Sequence, residues 1–275
     1  MSTLPHLLLE RPVWRPAFGL ACADDARGRR VTEGLRVQVA ALAGTAQRPA
    51  LEAVAGPAGV HALHRAPAPG AGAAIVRITD RQGRYLPTRL RCTLPLPAAG
   101  LNTAACIGGD VPLFLHPAQP APTGLATVRA AIWNTRTGAP AAFALLQLFD
   151  ADTGRPLGRG LADERGQVLA PVSPAEPVDT DGAASPPLPQ PAAQRRWRLR
   201  VEIRHDPGLP RHADPGFGPA AAPWPDLCEL LAQPLQPAFA GLGSPPLPLT
   251  LATLRQGEPL ILAADAGGLV VVHPA

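Results

Sequence analysis

The chain has 275 residues, 46% of them hydrophobic and 17% charged, so it is long enough for two globular domains and too apolar for a disordered chain. Its 36 prolines and 27 glycines leave little room for long helices but suit short strands joined by turns. The formal net charge of +4 comes entirely from arginine on the basic side, and it is weak evidence for a nucleic-acid partner.

The cysteines and the N-terminus predict the cellular location of the protein. Four cysteines occur without a CxxC pair, which favours small, buried, reduced thiols over a metal site: Cys22, Cys92, Cys106 and Cys228. The N-terminal apolar run is only three leucines long and lacks a basic start, and no stretch approaches the roughly 20 apolar residues of a membrane span. We therefore expect a cytoplasmic protein with reduced thiols and no membrane contact.

The first half alternates short apolar segments with turns. After an N-terminal arm over residues 1–15, period-2 alternation predicts a β-sandwich domain over residues 16–95. The candidate strands are 35–39, 60–64, 74–79 and 86–94. Residues 96–123 are rich in Pro, Gly and Ala and are expected to form a connection with at most one short strand.

The second half repeats this pattern and predicts a second β-sandwich domain over residues 124–275. Its candidate strands are 126–133, 141–149, 157–161, 167–172 and 195–204. A Pro-rich insertion over 174–191 is expected to be a surface loop. Residues 226–232 are expected to form one or two helical turns started by Pro225, and residues 260–263 and 269–272 to form a C-terminal hairpin.

The two halves align by their turns. The turn ending at Gly28 matches the turn ending at Gly138, and the turn ending at Gly59 matches the one ending at Gly166. A tandem repeat explains this match better than one large fold does. The predicted fold is therefore all-β, with two tandem immunoglobulin-like or transthyretin-like sandwich domains and little helix.

Residues 125–172 run in the order strand, Thr-Gly-x-Pro, apolar strand, turn, Gly-x-Gly, Ala-Asp-Glu-Arg-Gly, strand. This order resembles the carboxypeptidase-regulatory-like, transthyretin-like β-sandwich repeat. A wider resemblance is carried by segments spread along the chain, namely 83–87, 112–114, 132–133, 160–166, 225–228 and 269–275. Together they resemble accessory proteins of phage-tail-like contractile injection systems. The resemblance implies a structural or assembly role and transfers no catalytic residue.

One segment stands out as a candidate docking surface. Along 195–204, Trp197 and the aliphatic residues after it alternate with charged residues. The outward-facing arginines of the predicted strand are Arg196, Arg198, Arg200 and Arg204. They are typical of a solvated face that discourages edge pairing, of a docking surface for an acidic protein partner, or, less favoured, of a nucleic-acid surface.

Metal sites are weakly indicated. His61 and His64 are three residues apart on a predicted strand and so point to opposite faces. The sequences starting at Asp150 and Asp179 resemble calcium loops, but neither has the Glu that such a loop needs at its twelfth position. Ordinary strand and turn roles are the favoured interpretation, and no metal or cofactor is expected.

Catalytic motifs are also missing. Serine occurs only at four positions, and no nucleophile elbow, HExxH or phosphate-binding glycine loop is present. The sequence therefore predicts a non-enzymatic protein that binds other proteins. The alternatives are a stand-alone ligand- or glycan-binding module, and an enzyme with a Cys or His site that sequence motifs do not disclose.

Overall fold

The chain is described by a computed structural model in which almost all regular structure is β-strand. The described residues are 18–41, 49–56, 58–63, 72–94, 106–107, 109–172, 196–218, 222–240, 247–249, 251–255, 259–262 and 269–272. The predicted all-β class is confirmed. The expected arm over 1–15 and insertion over 174–191 lie outside the described residues, as do His64 and Asp179.

Two sheets occupy the described part of the first half. Their strands are β1 (Phe18–Asp24), β2 (Arg29–Arg30), β3 (Leu35–Ala41), β4 (Leu51–Glu52), β5 (Val54–Ala55), β6 (Val60–Leu63), β7 (Gly72–Asp80), β8 (Thr88–Leu94) and β9 (Val111–Leu113). One sheet has the order β2-β1-β6-β5, with β9 parallel to β1, and the other has the order β4-β3-β7-β8. Strand β9 therefore places part of the expected connection in the first sheet.

Two more sheets occupy the described part of the second half. Their elements are β10 (Ala126–Asn134), β11 (Ala139–Pro140), β12 (Leu145–Asp150), β13 (Pro156–Leu161), β14 (Gln167–Val172), β15 (Arg196–Arg204), a 3-10 turn (Pro215–Phe217), α1 (Leu227–Leu231), β16 (Leu235–Gln236), β17 (Ala238–Ala240), β18 (Leu247–Pro248), β19 (Leu251–Arg255), β20 (Leu260–Leu262) and β21 (Leu269–Val272). One sheet has the order β11-β10-β21-β17-β18, with β14 and β20 also on β10. The other has the order β13-β12-β15-β16, with β19 also on β15.

The two halves share a local structural unit. In the hairpins β1-β2 and β10-β11, Gly28 and Gly138 adopt positive φ angles of 61° and 64°, which glycine tolerates without strain. The side chains of Asp24 and Asn134 accept a hydrogen bond from an amide of the following turn, each at 2.9 Å. Strand β9 runs parallel to β1 as β21 runs parallel to β10. The predicted internal repeat therefore recurs in the strand pairing, while its division into two domains stays a prediction.

Buried apolar side chains form two clusters that do not separate at the predicted domain boundary. The first cluster contains the core of the first half but also Phe143, Leu145 and Leu169 from the second half. The second cluster lies between the two sheets of the second half and includes Val128 and Leu148. Packing of the first cluster therefore depends on residues from both halves of the chain.

The predicted C-terminal hairpin is wrong. Leu260 pairs in parallel with Val128, and Val271 pairs in parallel with Trp133, so β20 and β21 follow one another along β10 instead of pairing together. Strands β14 and β11 occupy the opposite edge of β10. Each C-terminal strand thus pairs its backbone groups with those of a central strand.

A long excursion leaves the second half between β15 and β16, and the described parts of residues 205–234 are here called the strap. Ile203 of β15 pairs with Gln236 of β16, so the chain returns to the sheet where it left. The base of the strap is closed by the amide of His205, which donates to the carbonyl of Pro234 at 3.0 Å. The strap can therefore reach the first half without disturbing its own sheet.

An arginine buried in β8 fixes the strap to the first half. The guanidinium of Arg89, 2% exposed, donates to both carboxylate oxygens of Asp214 at 2.8 and 3.1 Å and to Asp226 at 2.9 Å. Beside it, Arg77 donates to the carbonyl of Ala222 at 2.6 Å. A buried guanidinium is tolerated only when charge-assisted hydrogen bonds compensate its desolvation, and the strap supplies them.

Helix α1 of the strap begins one residue later than the sequence predicts. Asp226 is the N-cap, and its side chain accepts from the amide of Cys228 at 3.0 Å, while the Glu229 side chain accepts from the Asp226 amide. This reciprocal pair is a capping box, which satisfies amides that have no partner within the helix. Pro225 therefore precedes the cap and does not occupy the first helical position.

The expectation of four reduced cysteines is wrong for two of them. Cys106 and Cys228 form a disulfide across 122 positions of sequence, because the strap carries α1 back to the first half. Cys22 and Cys92 are buried thiols outside this bond. Burial raises the pKa of Cys22 to about 12, so this thiol stays protonated at neutral pH.

Strand β13 crosses β14 so closely that only glycine fits at two positions. A Cβ atom on Gly160 would lie 2.8 Å from the carbonyl carbon of Leu169, and one on Gly158 would lie 3.1 Å from the carbonyl carbon of Pro171. The Gly-x-Gly sequence therefore has a packing role in this fold.

Replacing Arg89 by Met should remove the cation and leave two carboxylates facing one another in a buried place. We expect Arg89→Met to lower the free energy of unfolding by about 3–5 kcal/mol, measured by urea denaturation at pH 7. The control Arg36→Met removes only an exposed ion pair with Glu52 and should cost less than about 1 kcal/mol. Equal losses in the two variants would contradict this account.

Adding one methyl group at the crossing of β13 and β14 should also destabilise the fold. We expect Gly160→Ala to lower the free energy of unfolding by about 1–3 kcal/mol, because the Leu169 backbone must move. Gly109→Ala is the control, since its added Cβ would meet nothing within 4 Å, and it should stay within about 0.5 kcal/mol of the parent. A neutral Gly160→Ala variant would show that the crossing relaxes freely.

Candidate docking face

The arginine-bearing strand β15 lies inside its sheet. It pairs antiparallel with β12 along residues 199–204, with β19 along residues 196–200, and with β16 at its C-terminal end. The interpretation of the arginines as a device that discourages edge pairing is therefore wrong, because β15 is not an edge strand.

The predicted alternation of β15 is confirmed. Leu199, Val201 and Ile203 are buried in the second cluster, and the residues between them are half-buried or exposed. Strands place successive side chains on opposite faces, so Arg196, Arg198, Arg200 and Arg204 lie on the outer face of the sheet. What differs among these four arginines is how each guanidinium is used.

Arg204 has a structural role. Its guanidinium donates to the side-chain oxygen of Gln147 on β12 at 2.9 Å and to the carbonyl of Gln233 in the strap at 3.1 Å. Its strand partner Leu145 is buried in the first cluster. The end of the arginine row at Arg204 is therefore structural and offers little to a partner.

The middle of the row is paired at the surface. Arg200 forms an ion pair with Glu202, and its guanidinium carbon lies 4.4 Å from the centre of the Phe149 ring. Arg198 donates to Asp152 at 2.7 Å, with the two side chains 63% and 61% exposed. Exposed pairs of this kind contribute about 1 kcal/mol or less, so a partner can replace them at small cost.

At the far end of the row, two arginines occupy directly opposite positions. Arg196 on β15 lies directly opposite Arg255 on β19, and both residues are exposed. No carboxylate among the described residues forms an ion pair with either guanidinium. Like charges at directly opposite positions destabilise an antiparallel pair. The sequence did not identify Arg255 as a site residue, because the register of β19 against β15 is set by the fold. The alternation of residues 251–255 was the only local signal of this strand.

Apolar surface adjoins the charged row. Leu251, which pairs with Arg200, is 55% exposed, and Leu235 is 54% exposed. A groove of about 590 Å³ is lined by residues that include Arg200, Glu202, Leu235, Pro237, Phe239 and Leu249. Arginine beside exposed apolar side chains is the composition enriched at protein interfaces.

His205 follows β15 directly and is a buried structural histidine, 3% exposed. The Asn134 side-chain oxygen accepts from the Arg136 amide at 2.9 Å, so its amide nitrogen faces the His205 Nε2 atom at 3.1 Å. Nε2 therefore accepts this hydrogen bond, and the neutral ring carries its proton on Nδ1. Burial lowers the pKa of His205.

Two other candidates from the sequence, His61 and Asp150, have structural roles. His61 is buried in β6, and burial lowers its pKa. The Asp150 carboxylate accepts from the amides of Asp152 and Thr153 at 2.9 and 2.8 Å, which closes the turn, and the Thr153 amide lowers the pKa of Asp150. Within the described ranges, no three His, Cys, Asp or Glu side chains are grouped so that they could hold a metal ion.

Comparison with known proteins adds no assignment to this geometry. No protein-family model matches the chain, and a search of curated proteins finds no significant match. In the part of the chain that the structure describes, no helix has the length and apolar character needed to cross a membrane. The assignment of a docking face therefore rests on the charges and the exposure of its residues.

The buried histidines predict a pH dependence of stability. Their folded pKa lies below the unfolded value of about 6.5, so the unfolded state takes up protons first as the pH falls. We expect the free energy of unfolding to decrease as the pH falls through about 6.5, by at most about 1.4 kcal/mol per pH unit for each histidine. His205→Gln should flatten this slope between pH 7 and 5 in denaturant titrations, and an unchanged slope would contradict the assignment.

Proposed function

We propose that this chain is a non-enzymatic structural or assembly component that docks a protein partner through the outer face of β15 and β19. The observation that carries the proposal is that two exposed arginines, Arg196 and Arg255, occupy directly opposite positions on neighbouring strands, and neither forms an ion pair with a described carboxylate. A partner carboxylate between them would replace repulsion by two charge-assisted contacts. The partner is therefore proposed to present an acidic segment to this face.

The neighbouring residues support such docking. The exposed pair between Arg198 and Asp152 can open so that Arg198 also contacts an incoming carboxylate. Leu251, which lies opposite Arg200, offers an apolar contact beside the charges, and this contact would slow dissociation after electrostatic encounter. Arg204 holds the strap and is left out of the proposed contact set.

We propose a phage-tail-like contractile injection particle as the assembly. The support is the resemblance of spaced segments, including 83–87 and 160–166, to accessory proteins of such systems. The repeated hairpin and the repeated parallel strand favour two tandem immunoglobulin-like or transthyretin-like domains, a repeated form suited to bridging neighbours. The protein would be made in the cytoplasm and incorporated into a particle that is then released, without a membrane or cofactor.

Charge reversal on the docking face should abolish retention on the assembly. We express the double variant Arg196→Glu/Arg255→Glu in a strain that lacks the parent gene and sediment the particles. The amount of variant that sediments with them should be at least about tenfold lower than for the parent protein, because both contacts become repulsive. Arg29→Glu/Arg91→Glu is the matched control, since it makes the same change of charge at two exposed residues of other strands. The control should sediment like the parent.

Two outcomes would separate the parts of this proposal. If the deletion strain assembles normal particles and the parent protein never co-purifies with them, the particle assignment is overturned. If both double variants are retained equally well at low and physiological salt, the docking face is overturned, because contacts made by its charges must respond to their reversal and to ionic strength.

A further inference from the structure

The Cys106–Cys228 disulfide ties helix α1 of the strap to the first half at an accessible place. Cys106 is exposed and Cys228 is half-buried, whereas Cys22 and Cys92 are buried. A thiol reagent can therefore reach the bonded pair much more readily than the other two sulfur atoms. The chain thus combines one accessible redox pair with two protected thiols.

Other contacts seat the strap without the disulfide. Arg89 binds Asp214 and Asp226, as described above, with both carboxylates in the strap. Leu227 and Leu230 of α1 are buried in the first cluster, which contains the core of the first half. Contacts of this number and burial place α1 against the first half by themselves, so the two thiols would already be neighbours when the chain has folded.

We propose that oxidation of Cys106 and Cys228 after folding is a redox lock on the strap. In the dithiol form the strap is seated but can detach locally, and in the disulfide form it is held covalently. This inference goes beyond the proposed docking function and does not depend on it.

The proposed step is thiol–disulfide exchange with a small-molecule disulfide, RSSR. One cysteine thiolate attacks RSSR to form a mixed disulfide and releases RS⁻, and the second cysteine thiolate then displaces the remaining RS⁻. The protein dithiol loses two electrons and two protons, and RSSR becomes two RSH. A disulfide persists in oxidising surroundings and is reduced in a glutathione-rich cytoplasm, so the lock would close when the protein leaves such a cytoplasm.

The lock restrains a segment that also contacts the proposed docking sheet. The base of the strap accepts from Arg204 through the Gln233 carbonyl, and the Gln233 side chain donates to the Phe143 carbonyl at 2.8 Å. Detachment of α1 would therefore also loosen the contacts that Gln233 makes with the second half. Closing the bond should stabilise the junction of the two halves more than the sheets themselves.

Hydrogen exchange of the oxidised and reduced parent protein tests the lock. The reporter amides are Trp224, which donates to His212, and Leu230, which donates to Asp226. We expect reduction by a phosphine to speed exchange of both amides at least about tenfold, because local opening becomes easier. The β10–β14 amides should respond less than these two reporters, because opening of the strap leaves their strand pairing in place.

Two further measurements complete the test. Cys106→Ala/Cys228→Ala should exchange like the reduced parent and show no response to the phosphine, and alkylation of the denatured, oxidised parent should label two of its four cysteines. If the double variant fails to fold, the oxidised and reduced parent still give the comparison. Four labelled cysteines after incubation with glutathione disulfide, or equal strap exchange in both redox states, would overturn the proposal.

Discussion

The contact on which the structure depends most is the burial of Arg89 between Asp214 and Asp226. A guanidinium 2% exposed in a packed sheet is unfavourable unless its donors are satisfied, and both carboxylates come from a strap that belongs to the second half. A first half without the strap would expose this charge or bury it without a partner. The first half therefore becomes a complete folded unit only when a later part of the chain has been laid across it.

The same strap also holds a strained residue in the second half. Phe143 adopts a φ of 61°, which is costly for an aromatic residue, and it is fixed by the Gln233 side chain and by Trp224. Phe143 and Leu145 then enter the cluster that fills the first half. The two sets of sheets thus interlock in both directions, which also fixes the orientation of the outer face of β15 relative to the first half.

The sequence predicted those features that depend on residues close to one another in the chain. The alternation in β15 was readable because strands expose every second residue. The same rule puts Arg89 and Arg91 of β8 on one polar face, yet only Arg91 is exposed, because the strap covers Arg89. The disulfide across 122 residues and the opposition of Arg196 to Arg255 could not be predicted either, because each brings together segments that are far apart in the sequence. The predicted C-terminal hairpin failed because a turn sequence between two apolar runs does not reveal that a third strand competes for both.

Asp226 shows why the ionic, helical and covalent contacts of the strap behave as one unit. Its carboxylate accepts from Arg89, from the Arg91 amide at 2.9 Å and from the Cys228 amide at 3.0 Å. An isolated helix as short as α1 is unstable in water, so its geometry depends on this cap and on packing. The cap in turn orients Cys228 toward Cys106. Loss of the buried cation would therefore weaken the cap and the placement of the disulfide together, whereas loss of the disulfide would leave the cation and the cap in place.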